Sequence, residues 1–286
     1  MAKGTKNENK QQITSEVAKD VYNIVNKHIT TSVVYADAVQ VAQKQTVENA
    51  TELLDDLSTL FDTKYNIYPF KSLNDMTWEE IKDTIHEGFA DKAFAIGDTK
   101  SITLTTGEKA EVVIIGFEHD TISALNQKAG ITFAFKNILD GWFEINETDT
   151  SDGGWAKSKM RNAYMQRIFA ILPKDLQDLI VTVDKVTGVG GGKNETETTK
   201  DRLFLLSQRE VFGNSEDVAD FEGKQYPYFE KEENRIAYRN NKNASWWWLR
   251  SPYLADSLSF CNVNGDVGAD YGWATYGCGV RPAFCL

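Results

Sequence analysis

The chain has 286 residues, of which 41% are hydrophobic and 26% charged, so its composition is that of a globular protein with one large domain or two ordinary ones. Its formal net charge of -11 makes general binding to nucleic-acid phosphates a poor interpretation. The polar N-terminus shows no secretory signal, and no apolar run approaches 18 residues. We therefore expect no membrane insertion, and a location in the cytoplasm or in a virion.

The N-terminal part is predicted to contain a solvated tail (1–12) and a helical segment for attachment or oligomerisation (13–71). One helix starts at Ile13, and a second helix is predicted from about Asp37 to Asp62. Its apolar residues follow the three-four alternation of a coiled-coil seam: Val47, Ala50, Leu54, Leu57 and Phe61. Two interpretations stay open, namely an amphipathic helix packed on its own domain and a stalk that forms a homo-oligomer, trimer-like, through residues 13–62.

After this segment the pattern changes from helix to strand. Thr77 and Glu80 form a capping-box pattern for a helix that ends near Gly88. Another helix is predicted at Trp155–Ile171, a surface loop at Gly188–Lys200 and a polar surface segment at Gly223–Asn241. Strands are predicted at Lys100–Leu104, Glu111–Phe117, Ile131–Phe135, Leu179–Val186 and Leu203–Leu206, followed by short β segments from Trp246 onward. Because βαβ alternation is missing, the predicted fold class is α+β.

Catalytic and metal-binding patterns are weak in this sequence. The three histidines lie far apart, and a metal or base role for His119 would need partners that the sequence does not place. The cysteines Cys261, Cys278 and Cys285 are odd in number, form no CxxC pair and have no histidine or lysine near them, so we interpret them as buried small hydrophobes. We expect no catalytic residue, no metal and no cofactor.

The most informative stretch is Ser251–Leu286, which contains no Lys, Glu, Gln or Met. One explanation is that a buried β tail excludes long polar side chains. The other is genetic, since codons of the form NNY cannot encode those four residue types or Trp. Random mutation of the adenines in AAY codons gives the residue types found at Ala255–Leu258 and Gly268–Cys278, with Trp273 as an exception that would have to be a fixed position.

The residue types in this stretch suit binding. Tyrosine and tryptophan offer rigid contact area, and short polar side chains offer adaptable hydrogen bonds, as in an antibody paratope. The alternative is a glycine-rich edge of a β domain whose aromatic side chains lie in the core. The candidate ligand-binding residues are Tyr253, Asp256, Ser257, Ser259, Asn262, Asn264, Asp266, Asp270, Tyr271, Trp273, Thr275 and Tyr276.

Two C-terminal motifs carry a family resemblance. Trp247–Pro252 (WWLRSP) followed by Gly279–Phe284 (GVRPAF) resembles an uncharacterised family of bacterial and phage domains. Segments upstream are similar to the same family, and the similarity covers roughly residues 75–286. These segments are Ala95–Lys100, Ile115–Asp120, Gly154–Arg161 and Leu205–Ser207.

That family resembles, in turn, the C-type-lectin-like fold shared by formylglycine-generating enzymes and the variable proteins of diversity-generating retroelements. The resemblance implies a C-type-lectin-like domain over 72–286, with its ligand surface between Tyr253 and Cys278. It also implies that Trp247, Arg250 and Arg281 are scaffold residues. An oxidase of the formylglycine-generating type is the less favoured alternative, because the copper-binding cysteine motif of those enzymes is not matched.

The resulting hypothesis is a non-enzymatic ligand- or receptor-binding protein with a diversified C-terminal surface, such as the receptor-binding protein of a phage tail. Its expected partner is a cell-surface protein or glycan. The alternative is a structural virion or scaffold protein with a fixed C-terminal domain that contacts only neighbouring subunits.

Overall fold

The computed structural model describes residues 71–239 and 243–286, in two units. Within the described residues, one unit contains 71–72 and 83–93. The other contains Leu73–Lys82 and Phe94–Leu286. The predicted N-terminal tail and helices, and the oligomerisation through 13–62, lie outside the described residues.

The described elements alternate irregularly along the chain. The strands are β1 (Thr99–Thr103), β2 (Lys109–Phe117), β3 (Thr121–Ile122), β4 (Ile131–Phe135), β5 (Val183–Gly188), β6 (Thr196–Asp201), β7 (Tyr238–Arg239), β8 (Asn243–Ala244), β9 (Trp247–Pro252), β10 (Ser259–Val263), β11 (Ala269–Trp273) and β12 (Ala283–Cys285). The α-helices are α1 (Trp78–His86), α2 (Ala90–Ala93), α3 (Gly154–Lys157), α4 (Met165–Ile171), α5 (Lys174–Leu179) and α6 (Gln208–Phe212). Short 3-10 turns lie at Leu73–Asp75, Pro227–Glu230 and Glu232–Arg235, and a π-helical turn lies at Met160–Tyr164. This mixture of helices and antiparallel sheets is compatible with the predicted α+β class.

The largest sheet has the strand order β1-β2-β4-β12 and holds much of the core. All five residues of β4 are buried, because β2 and β12 flank it. Trp78, the first residue of α1, packs edge-on against Phe133 at 5.6 Å and Phe284 at 6.1 Å between ring centroids. The predicted capping box starts this helix, since Thr77 and Glu80 exchange hydrogen bonds.

A second sheet has the order β11-β10-β9. Every residue of β9 and β10 is buried, whereas β11 pairs only with β10. Strand β11 is therefore an edge strand whose residues are more accessible. Three candidate binding residues, Asp270, Tyr271 and Trp273, lie on this edge strand.

The predicted surface loop at Gly188–Lys200 is wrong in its second half, because Thr196–Asp201 forms β6 and pairs with β5. The glycines before β6 allow close packing of the turn. A Cβ on Gly190, whose φ is +74°, would lie 1.6 Å from the carbonyl oxygen of Ser151. Position 190 therefore requires glycine both for its backbone angle and for the close packing against Ser151.

Four further expectations need correction. The predicted helix Trp155–Ile171 is interrupted at Ser158, which has extended backbone angles. The predicted strand at Leu179–Val186 begins only at Val183, since α5 ends at Leu179 and the residues between them contribute only an isolated bridge, at Val181. Leu203–Leu206 is buried as predicted but contributes only an isolated bridge, at Phe204. The segment Gly223–Asn241 is not only surface, because it buries two aromatic residues, Tyr226 and Phe229. Within 71–239 and 243–286, every helix is too short or too polar to cross a membrane.

Candidate ligand-binding surface

The register of β10 and β11 positions the candidate surface. Tyr271 lies opposite Cys261, and Trp273 lies opposite Ser259, so both aromatic side chains project from the same face of the edge strand. Tyr271 is 51% exposed and Trp273 is 47% exposed, whereas Gly272 between them is buried. The sheet thus holds two large aromatic side chains in solvent at a fixed spacing.

Two ring contacts extend this arrangement. Tyr276 is 50% exposed and packs against Trp273 with 5.4 Å between ring centroids. Half-buried Tyr253 stacks on Tyr271 at 4.1 Å with an interplanar angle of 4°. We call these four residues the aromatic surface. All four were candidate residues, and the structure brings them together in two contacting pairs.

Trp142 also lies beside this surface, and the sequence analysis missed it. It is 59% exposed, and a Cβ on Gly277 would lie 3.3 Å from its side chain. The guanidinium carbon of Arg239 lies 4.0 Å from the centroid of its ring. A contact between residues so distant in the sequence leaves no local signal, so only the tertiary structure shows it.

The polar candidates differ in exposure and in the hydrogen bonds that their side chains form. Ser257 and Asp266 are exposed, and Asp270 is half-buried. Asp256 and Asn264 are half-buried and stabilise loops, because each side chain accepts hydrogen bonds from backbone N–H groups two to four residues later.

Exposed Thr275 is anchored by a residue outside the predicted site. Its backbone N–H and its hydroxyl both donate to Oδ1 of Asp149, at 3.1 and 2.5 Å. This contact joins the loop after β11 to the segment before α3.

Two candidates do not reach the surface. Ser259 is fully buried, and its hydroxyl donates to Oδ2 of Asp256 at 3.0 Å. Asn262 is fully buried as well, and neither Oδ1 nor Nδ2 of its amide has a hydrogen-bond partner. Both lie on β10, the central strand of its sheet, which neighbouring strands cover on each side.

The unpaired amide of Asn262 lies near Tyr276, on the face of the sheet opposite Tyr271 and Trp273. Asn262 pairs with Asp270 on β11 and with Trp248 on β9. A Cβ built on Gly272 would lie 3.6 Å from Nδ2 of Asn262, 3.4 Å from the ring of Tyr276 and 3.3 Å from the ring of Trp248. Because Gly272 has no side chain, the rings of Tyr276 and Trp248 are the main groups near the amide of Asn262.

Charged side chains are paired inside the domain. We call Asp120, Lys185, Glu210 and Arg250 the buried charged cluster. The ammonium of Lys185 lies 2.7 Å from Oδ1 of Asp120 and 2.6 Å from Oε1 of Glu210. The guanidinium of Arg250 contacts both carboxylate oxygens of Glu210, with 3.0 Å between Nη2 and Oε1.

The cluster links several elements because its members come from β5, β9, α6 and the turn before β3. Arg250 also donates to the hydroxyl of Thr187 at 2.7 Å and to the carbonyl of Leu205 at 2.9 Å. Burial alone would raise the pKa of Asp120, but the Lys185 ammonium outweighs it and holds that pKa well below its usual range. The cluster therefore stays ionised and neutral overall.

The three residues expected to be scaffold are fully buried, namely Trp247, Arg250 and Arg281. Arg281 donates to the carbonyl oxygens of Phe135 at 2.6 Å and of Asn234 at 2.9 Å. Burial lowers the pKa of Arg281 to about 10, because its guanidinium has backbone carbonyls and aromatic rings around it. These side chains connect β9 and the C-terminal segment to the rest of the domain.

Glu222 lies beside the buried charged cluster but differs from its carboxylates in protonation. It is fully buried, accepts a hydrogen bond from the backbone N–H of Gly188 at 2.6 Å, and contacts the hydroxyl of Ser251. Burial raises the pKa of Glu222 to about 7, although these contacts and Arg250 act in the opposite direction. The carboxyl is therefore substantially protonated at neutral pH.

The cysteines and His119 are placed as structural residues. Cys261, Cys278 and Cys285 are buried and free, as the sequence predicted. Burial raises the pKa of Cys278 to about 12 and raises the pKa values of the other two thiols well above their usual range. His119 stacks on Tyr226 with 3.8 Å between ring centroids. Across the part of the chain that the structure describes, His, Cys, Asp and Glu side chains form no group of three or more suited to a metal ion.

A comparison with protein-family models matches residues 130–286, more than half of the chain, to a domain of unknown function, DUF6273. The chain belongs to the DUF6273 family. The DUF6273 region contains the whole aromatic surface and three members of the buried charged cluster, while Asp120 and strands β1–β3 precede it. Comparisons with curated proteins and with solved structures give no match.

Proposed function

We propose that this DUF6273 chain is a non-enzymatic ligand-binding protein that recognises a cell-surface protein or glycan through its aromatic surface. The observation that carries the proposal is the grouping of Tyr271, Trp273 and Tyr276, each about half exposed, on an edge strand and the turn after it. Clustered exposed aromatic side chains are typical of interaction sites, because they offer large contact area at a small entropic cost.

The support beneath the surface favours recognition by a pre-organised site. Strand β10 is buried along its whole length, and the adjacent β9 carries Arg250 of the buried charged cluster. A rigid support lowers the conformational entropy that binding removes, so exposed side chains can change without loss of the fold.

The finer parts of the proposal rest on the family resemblance and the residue types. We propose a C-type-lectin-like fold and diversification of the exposed positions of Ala255–Leu258 and Gly268–Cys278 by a retroelement. A phage tail or a comparable bacterial surface is the proposed setting. Catalysis is not part of the proposal, since buried thiols with raised pKa values are poor nucleophiles and redox groups.

A triple alanine variant of Tyr271, Trp273 and Tyr276 tests the proposal. We expect the full chain to keep its thermal unfolding temperature and to lose attachment to the cells that the unmodified protein binds. The matched control is Phe221→Ala, which removes an aromatic side chain that is 83% exposed and outside the aromatic surface.

Two results would contradict the proposal. Unchanged attachment of the folded triple variant to cells would show that the aromatic surface does not bind the ligand. Failure of virion or scaffold assembly by the folded triple variant would favour the structural alternative.

Diversification has a separate test in the coding DNA. We expect NNY codons across 255–278 except at Trp273, and a nearby near-copy with adenines at the differing sites, in sibling isolates. Identical ordinary codons without a near-copy would contradict diversification. The proposal of ligand binding would then depend on the aromatic surface alone.

A further inference from the structure

The C-terminal stretch that carries the aromatic surface has accessible charge of one sign. Arg281 is the only basic residue of Ser251–Leu286, and it is fully buried. Asp256, Asp266 and Asp270 lie in the same stretch, and Asp149 contacts Thr275 beside it. These four carboxylates form no ion pair with the residues that the structure describes. A positively charged partner would therefore be attracted without displacing an internal cation.

The four rings of the aromatic surface also lack cations, in contrast to other rings in the domain. Cationic groups of Arg239, Arg202 and Lys185 lie 4.0 to 4.2 Å from the ring centroids of Trp142, Phe169 and Phe204. Among the described residues, the rings of Tyr253, Tyr271, Trp273 and Tyr276 have no such neighbour. Their accessible faces are free for a cation from another molecule.

Asn262 supplies an independent indication of a ligand. Its amide is fully buried without a hydrogen bond, which costs about 1–3 kcal/mol of folding free energy. It pairs with Asp270 across the two strands, so both side chains project from the same face of the sheet. The ring of Tyr276 covers this place over Gly272, and a rotation of that ring would open it.

We infer that Tyr276 of the aromatic surface, together with Asp270 and Asn262 on the same face of the sheet, recognises an arginine side chain of a partner protein, and this inference rests on the proposed ligand-binding function. A guanidinium has five N–H donors in one plane and no acceptor. It can donate to the Asp270 carboxylate and to Oδ1 of Asn262 while its plane stacks on Tyr276. Arginine fits better than lysine, because a planar fork can donate to two acceptors and stack at the same time.

The experiment uses the full chain and synthetic peptides from a displayed library of random 12-residue sequences. We expect selected peptides to be enriched in arginine. Replacing the critical arginine by citrulline, which keeps the shape and removes the charge, is expected to weaken binding at least tenfold by calorimetry.

Variants of the chain locate the site. Asp270→Asn and Asn262→Leu should each weaken the arginine peptide about tenfold and leave the citrulline peptide nearly unchanged. Gly272→Ala should weaken it as well, because the added methyl group fills the space between Tyr276 and Asn262. The matched control is Asp175→Asn on α5, an exposed aspartate outside the surface, which should leave binding unchanged.

Three results would overturn the inference, and they separate it from the proposed function. If peptides need Tyr271, Trp273 and Tyr276 but bind equally well with citrulline, the ligand-binding function stands and arginine recognition is wrong. If Asp175→Asn weakens binding as much as Asp270→Asn, the attraction is that of a generally acidic chain. If binding does not depend on the aromatic surface at all, the proposed function fails together with the inference.

Discussion

The buried charged cluster and the aromatic surface use charged side chains in opposite ways. In the cluster, Lys185 and Arg250 pair with Asp120 and Glu210 away from solvent. At the surface, Asp266 and Asp270 have no basic partner among the described residues, and the aromatic side chains beside them are half exposed. Paired internal charges neutralise one another within the fold, whereas unpaired charges next to exposed rings remain able to interact with another molecule.

The largest expected effect comes from breaking the cluster. Glu210→Gln keeps the size of the side chain but removes the charge that Lys185 and Arg250 share. We expect a loss of about 3–5 kcal/mol in the free energy of unfolding, because two buried cations would then share one carboxylate. Urea denaturation followed by circular dichroism measures it.

The matched control for this substitution is Glu230→Gln, at an exposed residue, which should change stability by less than about 0.5 kcal/mol. A loss below about 1 kcal/mol for Glu210→Gln would mean that the cluster is not what holds these strands together.

The next effect is a dependence of stability on pH caused by Glu222. Its pKa is about 7 in the folded protein and near 4.5 in the unfolded chain, so the folded state binds more protons between these values. Stability should therefore fall as pH rises from about 4.5 to 7, by an amount on the order of 3 kcal/mol. Denaturation of the unmodified protein at several pH values in this range measures the fall.

Glu222→Gln isolates this contribution, since glutamine can accept from Gly188 and donate to Ser251 in the same place. The difference in unfolding free energy between the two proteins should grow in favour of the variant as pH rises. A constant difference across pH 5–8 would show that Glu222 has an ordinary pKa.

How much the sequence predicts depends on how local the signal is. The capping box at Thr77 and the apolar run Ile131–Phe135 are local, and the structure confirms both elements. The strand β6 was mistaken for a loop, because the stretch before it is rich in glycine and its own residues are polar. Its pairing with β5 and the packing of Gly190 on Ser151 are tertiary facts.

The same distinction holds at the candidate surface. Residue types made Tyr271, Trp273 and Tyr276 candidates, since aromatic residues among small polar ones indicate binding, and the structure shows that all three are exposed. They could not show that Asn262 is buried, because the rings of Trp248 and Tyr276, from other segments, lie over its amide. Nor could they identify Trp142, which reaches the surface only through its contact with Gly277.

Asn262 connects the two regions, since it is buried like the cluster but unpaired like the surface. Asn262→Leu replaces an unsatisfied amide by an apolar group with the same branching, so we expect a gain of about 1 kcal/mol in the free energy of unfolding. Urea denaturation detects this gain. Asn146→Leu is the matched contrast, because the amide of Asn146 donates to Thr150 and accepts from Lys159, and this variant should lose stability.

Equal losses for Asn262→Leu and Asn146→Leu would show that the amide of Asn262 is satisfied in solution, and would remove the argument that it is kept for a ligand.

The smallest expected effect on stability is at the aromatic surface itself. Trp273→Ala should change the free energy of unfolding by no more than about 0.5 kcal/mol, because this side chain is 47% exposed on an edge strand. Trp247→Ala, on β9 of the same sheet, should cost about 3–5 kcal/mol, since that side chain is fully buried against Phe229 and the guanidinium of Arg281. Thermal unfolding of both variants, alongside ligand attachment, compares two tryptophans that differ in burial. If Trp273→Ala destabilised the domain as much as Trp247→Ala, the exposed rings would belong to the core of an assembly, and the distinction between supporting scaffold and binding surface would fail.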